Sequence, residues 1–119
     1  MSYVDIFIKR MINKYGQTVK HKRRVEIDLG AGEIETEYAV QEPKTGQFSE
    51  ITPLDEILDR MGRRVEADYI GTFLPDTDIL EGDLLEIDGD WYEIQNLFKR
   101  RTAGTIDYIE VLLRRRKGT

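Results

Sequence analysis

The sequence predicts a mainly β fold with some α: a small antiparallel β-barrel or sandwich, an N-terminal amphipathic helix, and a long inserted loop plus short helix. Three observations predict it. Apolar residues recur at every second position through most of the chain, glycine-bearing turns separate those runs at short intervals, and a helical period is confined to the N-terminus and one central segment.

In chain order, Ser2 to Tyr15 reads as the helix. Val4, Phe7, Ile8, Met11, Ile12 and Tyr15 fall at the spacing that lines one helical face, with Lys9, Arg10, Asn13 and Lys14 on the other. Ser2 with Asp5 resembles a capping box in which Asp replaces Glu, and Gly16 is a natural stop. Such a helix either covers one open end of a β structure or docks on a neighbour.

From Gln17 to Asp28 the period changes to two, with Val19, Val25 and Ile27 on one parity around a basic run of Lys20, His21, Lys22, Arg23 and Arg24. Leu29-Gly30-Ala31-Gly32 makes a turn, and Glu33 to Val40 alternates again, with Ile34, Thr36, Tyr38 and Val40 against Glu33, Glu35 and Glu37. These runs predict an antiparallel pair. Glu42 to Thr52 is polar without a sustained period and reads as loop. Pro53 to Met61 reads as a short helix, with Thr52 as cap, Pro53 at its first position, Gly62 closing it, and Leu54, Ile57, Leu58 and Met61 as its stripe. So long an excursion between strands points to a functional or disordered insertion.

Arg63 to Leu74 is the next strand, and Pro75 to Gly82 an acidic turn. Asp83 to Asp88, Trp91 to Phe98 and Thr105 to Leu113 are the clearest strands, joined around Asp88-Gly89 and Ala103-Gly104. Arg114 to Lys117 forms a basic tail. The organisation expected is one domain: helix 1–16, first strand pair 17–41, loop and short helix 42–62, meander 63–113 and tail 114–119.

With 119 residues the chain has room for one core, and with no cysteine it has no disulfide, no thiolate metal site and no cysteine nucleophile. Lys9 and Arg10 interrupt the apolar residues near the N-terminus, and no run approaches the ~20 apolar residues of a membrane span. The expectation is a soluble protein made in a reducing cytoplasm, with no membrane partner. Net charge is −5, divided into +6 over residues 1–25, −16 over 26–93 and +5 over 94–119. Such polarity either pairs the basic ends with the acidic middle inside one fold or presents opposite surfaces for stacking onto partners and copies.

Few residues invite chemistry. His21 is the one histidine; it lies in a basic run, has no serine–carboxylate setting and makes no multi-histidine zinc site. Asp76, Asp78, Glu81 and Asp83 crowd around Gly82, but the glycine and the late acidic ligand are misplaced for a calcium loop, so a solvated acidic turn is expected. Gly30 and Gly32 lack the Lys-Ser/Thr ending of a phosphate loop. No catalytic residue, metal or cofactor is nominated, and the expectation is that the chain is not an enzyme. The basic groups Lys20 to Arg24, Lys99 to Arg101 and Arg114 to Lys117, near Trp91, Tyr92 and Phe98, leave open an oligonucleotide-binding barrel module.

Asp78 to Ile94 fits the pattern D-I-x-x-G-D-x-L-x-x-D-G-x-x-Y-x-I, with Tyr69-Ile70-Gly71 before it and Tyr108-Ile109-Glu110 after. This stretch resembles the head-closure, or stopper, proteins of the head–tail connector of tailed phages and prophages. The resemblance covers residues 62–114. It implies a β-barrel protomer of a homo-oligomeric ring, expected as a dodecamer, in the virion neck after assembly in the host cytoplasm. The portal or adaptor ring would lie above it, a tail-tube or tail-terminator protein below, and packaged double-stranded DNA in its channel. By position and length, the channel-closing loop would be Glu42, Pro43, Lys44, Thr45, Gly46, Gln47, Phe48, Ser49 and Glu50. Docking or DNA-proximal cations would be Lys20, Arg23, Arg24, Lys99, Arg100, Arg101, Arg114, Arg115 and Arg116. An adaptor or tail-completion protein of the same neck is a related reading.

Overall fold

Three two-residue turns organise the strands. Ala31-Gly32, Asp88-Gly89 and Ala103-Gly104 all have positive φ, with Ala31 at 52°, Asp88 at 51° and Ala103 at 51°. Two successive left-handed residues make the type I′ turn, whose twist matches that of the strands it joins. Each turn closes an antiparallel hairpin, through the pairs Gly30–Glu33, Ile87–Asp90 and Thr102–Thr105.

A computed structural model describes residues 3–51 and 66–116. Helix α1 (Tyr3–Tyr15) is followed by β1 (Gln17–Gly30), β2 (Glu33–Glu50), β3 (Tyr69–Phe73), β4 (Leu84–Ile87), β5 (Asp90–Thr102) and β6 (Thr105–Arg115). The six strands close into an antiparallel barrel in the order β1-β2-β3-β6-β5-β4. Closure pairs Lys20, His21 and Lys22 of β1 with Glu86, Leu85 and Leu84 of β4. The expected small β-barrel with an N-terminal helix is therefore the observed fold.

Alternation fills the barrel. Val19, Phe73, Leu85, Ile87, Tyr92, Ile94, Ile109, Val111 and Leu113 form its buried core, with Ile79 from the loop after β3. Phe48 meets Phe73 edge to face with ring centroids 5.6 Å apart, and Tyr69 meets Tyr92 likewise at 5.1 Å. Gly46 makes room for this packing: a Cβ there would lie 2.6 Å from Phe73 Cε1 and 2.9 Å from the Thr72 carbonyl oxygen.

Helix α1 ends where the Gly16 N–H donates to the Ile12 carbonyl, 2.8 Å away. It packs against β2 and β6, burying Ile12, while Phe7 and Tyr15 stay exposed. Leu112 has the opposite parity to its inward neighbours Val111 and Leu113, yet it is buried too.

The segment Glu42 to Glu50, expected as a loop, is instead the second half of β2. Thr45 and Gly46 pair with Thr18 and Gln17, and Gln47 to Glu50 pair with Thr72 to Tyr69. Its inward side is supplied by glycine and a single phenylalanine, so the hydrophobic alternation that marks a strand is missing, and a register shift leaves Glu42 and Pro43 out of the β1 ladder. Other expected boundaries also move. Described residues Glu66 to Asp68 precede β3, and Arg114 and Arg115 belong to β6 instead of a tail. The cap at Ser2, the short helix Pro53 to Met61 and Lys117 lie outside the described residues.

Two hairpins outgrow the barrel. Pairing of β1 with β4 stops at Lys22 and pairing of β2 with β3 begins at Gln47, so residues 23–40 continue as a two-stranded arm. The β5–β6 hairpin does the same with the residues that precede Ile109, the first residue of β6 paired to β3. Strand directions put both tips at one end of the barrel, opposite the Asp88-Gly89 turn. The molecule measures 53 × 32 × 30 Å.

Candidate functional site

Where the β1–β2 arm leaves the barrel, a charged clasp holds it. His21 follows Val19 on the inward parity of β1, and Asp83 lies on the same parity as Leu85 and Ile87 of β4. Both are almost fully buried, at 1% and 2% exposure. His21 Nε2 lies 2.7 Å from Asp83 Oδ2, and the Leu80 N–H donates to the same oxygen at 3.0 Å. Arg23 donates to both Asp83 oxygens, Nε to Oδ1 at 3.2 Å and Nη2 to Oδ2 at 3.1 Å. Its Nη2 also reaches Asp78 Oδ1 at 3.1 Å and its Nη1 reaches Oδ2 at 3.3 Å.

These contacts fix the ionisation of the clasp. Burial alone would raise the Asp83 carboxyl, but hydrogen bonds from His21, Arg23 and the Leu80 N–H outweigh it and hold the group below the ordinary aspartate value. Hydrogen bonding to Arg23 likewise holds Asp78 low. Arg23 is raised by its hydrogen bonds to Asp83 and then Asp78, and stays cationic. Asp83 was expected in a solvated acidic turn; it is the buried centre of the clasp, because Arg23 and His21 from a distant strand converge on it. Its parity with Leu85 and Ile87 was the signal that could have shown this. His21 Nδ1 is buried without a hydrogen-bond partner among the described residues. The clasp ties the arm root to the loop between β3 and β4.

The arm itself has no core. Directly paired residues share a face, so Val25 and Ile27 lie beside Glu37 and Glu35, while Ile34 and Tyr38 lie beside Asp28 and Arg24. Each face thus mixes apolar and charged side chains, and the Arg116 guanidinium covers Tyr38 on one of them. Leu29 is 57%, Ile34 65% and Val40 79% exposed. Glu26, Asp28, Glu33, Glu35 and Glu37 make the outer arm acidic. Above Lys22 on β1 and before Gln47 on β2, the outer edges make no ladder pairs among the described residues.

At the arm root, a groove of about 560 Å3 crosses the outside of the barrel. Lys20 and Lys22 of β1, Val40 and Pro43 of β2, Glu86 of β4 and Trp91 of β5 line it. The Lys22 ammonium lies over the Trp91 ring, 4.5 Å from its centroid. The chain end joins the same region: the Arg116 N–H donates to the Trp91 carbonyl at 2.9 Å, and its guanidinium stacks on Tyr38 at 4.4 Å. The Lys22 cation thus faces Trp91 and the Arg116 cation faces Tyr38.

The other candidate cations are dispersed. Arg23 belongs to the clasp, and Arg24 is exposed on the arm opposite Tyr38. Arg100 pairs with Glu110 at 2.8 Å, Arg114 with Glu66 at 3.3 Å and Arg115 with Asp90 at 3.2 Å. Lys99, Arg100 and Arg101 lie together with Leu97 and Phe98 along the β5 arm, away from Trp91. The segment Glu42 to Glu50 contributes Pro43 to the groove and Phe48 to the core-packed residues. Among the described residues, no three His, Asp or Glu side chains gather as metal ligands, and no helix is long and apolar enough to cross a membrane.

The chain matches no protein-family model and no curated protein.

Proposed function

We propose that this chain is a structural assembly protein of the head–tail connector of a tailed virus. Copies form a ring below the portal or adaptor, close the DNA channel and join capsid to tail, with no catalytic step. The observation that carries the assembly part is the β1–β2 arm: a ribbon with apolar side chains exposed on both faces and outer edges that make no ladder pairs among the described residues. A two-stranded hairpin is marginal alone in water, and exposed apolar surface marks an interaction site. The place in the neck rests on the resemblance of the Asp78 to Ile94 hairpin region to stopper proteins. Closure of the channel belongs here to the assembled ring, since Glu42 to Glu50 is paired into the barrel wall and is not a free gate. The genetic test is removal of the gene from the virus or prophage that carries it. Full heads that leak DNA and lack tails are the expected product; normal tailed particles refute the proposal.

The groove supports a second reading, a single-strand nucleic-acid module, because Trp91 beside Lys20 and Lys22 offers a stacking surface flanked by cations. That reading requires binding of oligothymidylate with a steep salt dependence and its loss in Trp91→Ala.

A further inference from the structure

We propose that the tip of the β1–β2 arm of one copy docks in the Trp91 groove of the next copy. The inference rests on the self-assembly reading above and names its contact. The tip and the groove have matching chemistry. The tip presents Leu29 and Ile34, both more than half exposed, between the carboxylates of Asp28, Glu33 and Glu35. The groove offers Val40, Pro43 and Trp91, with two cations, Lys20 and Lys22, against one carboxylate, Glu86. Beside it, Arg116 Nη1 is buried without a hydrogen-bond partner among the described residues.

The tip cannot occupy its own groove. Lys20 and Lys22 lie at the arm root, and Leu29 lies at the tip of the same strand. At ~3.3 Å per residue, the two are about 25 Å apart along a paired ribbon that cannot fold back on itself. The occupant is therefore a second copy, and the contact is heterologous: tip on one chain, groove on the other. Contacts of this type propagate head to tail and close into a ring when the rotation per copy allows it. A nucleic acid would meet the same cations, but the chain carries a net charge of −5 and supplies its own acidic, apolar tip. That favours the second copy.

Cysteine cross-linking tests the contact directly, because the chain has no cysteine of its own. Leu29→Cys and Val40→Cys both alter exposed side chains, so each variant is expected to fold. Mixed and gently oxidised at assembling concentration, the two should give the mixed cross-linked pair in clear excess over either self-pair. A chain carrying both changes should give a ladder of multimers. Lys20→Glu with Lys22→Glu, placed in the groove-side chain, should lower the yield about ten-fold, and Glu33→Lys with Glu35→Lys in the tip-side chain should restore it. Self-pairs alone, no cross-link, or no charge rescue overturns the proposal. So does oligothymidylate that quenches Trp91 and prevents the cross-link, which would assign the groove to nucleic acid. Rings that form without the mixed pair dismiss this contact and keep the assembly reading; mixed pairs from a protein missing from virus necks do the reverse.

Discussion

Replacing Asp83 by Asn isolates the clasp, because it removes a charge while nearly preserving shape. The carboxylate accepts from His21 Nε2, from Arg23 Nε and Nη2, and from the Leu80 N–H. An amide oxygen at the Oδ2 position keeps three of these four bonds while its NH2 at the Oδ1 position faces Arg23 Nε, so one bond is lost outright and the other three lose the charge that strengthens them. A hydrogen bond to a charged group contributes roughly 1.5–3 kcal/mol. Arg23 keeps Asp78 and some solvent, so the one lost bond together with the weakening of the other three comes to about 3 kcal/mol. With 119 residues and ~2.1 cal/mol/K of unfolding entropy per residue, that corresponds to about 12 °C in Tm. Thermal unfolding followed by circular dichroism and by fluorescence of Trp91, the one tryptophan, measures it. The control is Asp78→Asn, which changes the exposed partner of Arg23 and should melt close to the parent. A melting point for Asp83→Asn within ~3 °C of the parent would refute the assignment of Asp83 as the centre of the clasp.

Three further outcomes follow from the same geometry. Because Asp83 is held below its ordinary value in the fold, its contribution is complete above the unfolded carboxyl value of about 4 and is lost as pH falls through the folded value. The urea midpoint should drop between about pH 5 and pH 3, less steeply in Asp83→Asn; parallel pH profiles contradict this linkage. Gly46→Ala should cost about 1–3 kcal/mol with an unchanged denaturant slope, since its methyl meets Phe73 and the Thr72 backbone, and an unshifted midpoint shows that the wall relaxes freely. Ala103→Asn should raise stability by about 0.5–1 kcal/mol by placing a residue suited to positive φ at a turn where alanine sits at 51°; no upward shift in the urea midpoint rejects that turn argument.

The elements legible in the sequence were those with a strong local signature. The Asp88-Gly89 and Ala103-Gly104 turns and the alternation of Ile109, Val111 and Leu113 announce themselves in short windows. The second half of β2 did not, because Gly46 fills an inward position where a hydrophobic residue would have shown the period. Asp83 and His21 were hidden for a related reason. Each occupies an inward position of its strand, but charge at such a position reads as surface until the partner, 62 residues away, is known. The arm was legible as an antiparallel strand pair, but its faces were not: pairing mixes carboxylates and apolar residues on both. Strand register decides that, and a one-dimensional pattern does not carry register. The meeting of Lys20 and Lys22 with Trp91 likewise depends on barrel closure between β1 and β4.

Imaging of the intact particles by electron microscopy is the most direct test of the central claim, that this chain completes its structure as a ring in a virus neck. The account predicts a ring of identical barrels beneath the portal and adaptor, each arm crossing to the neighbouring copy. Particles whose necks lack this protein, with the chain found only as dispersed monomer in the producing cells, would contradict it.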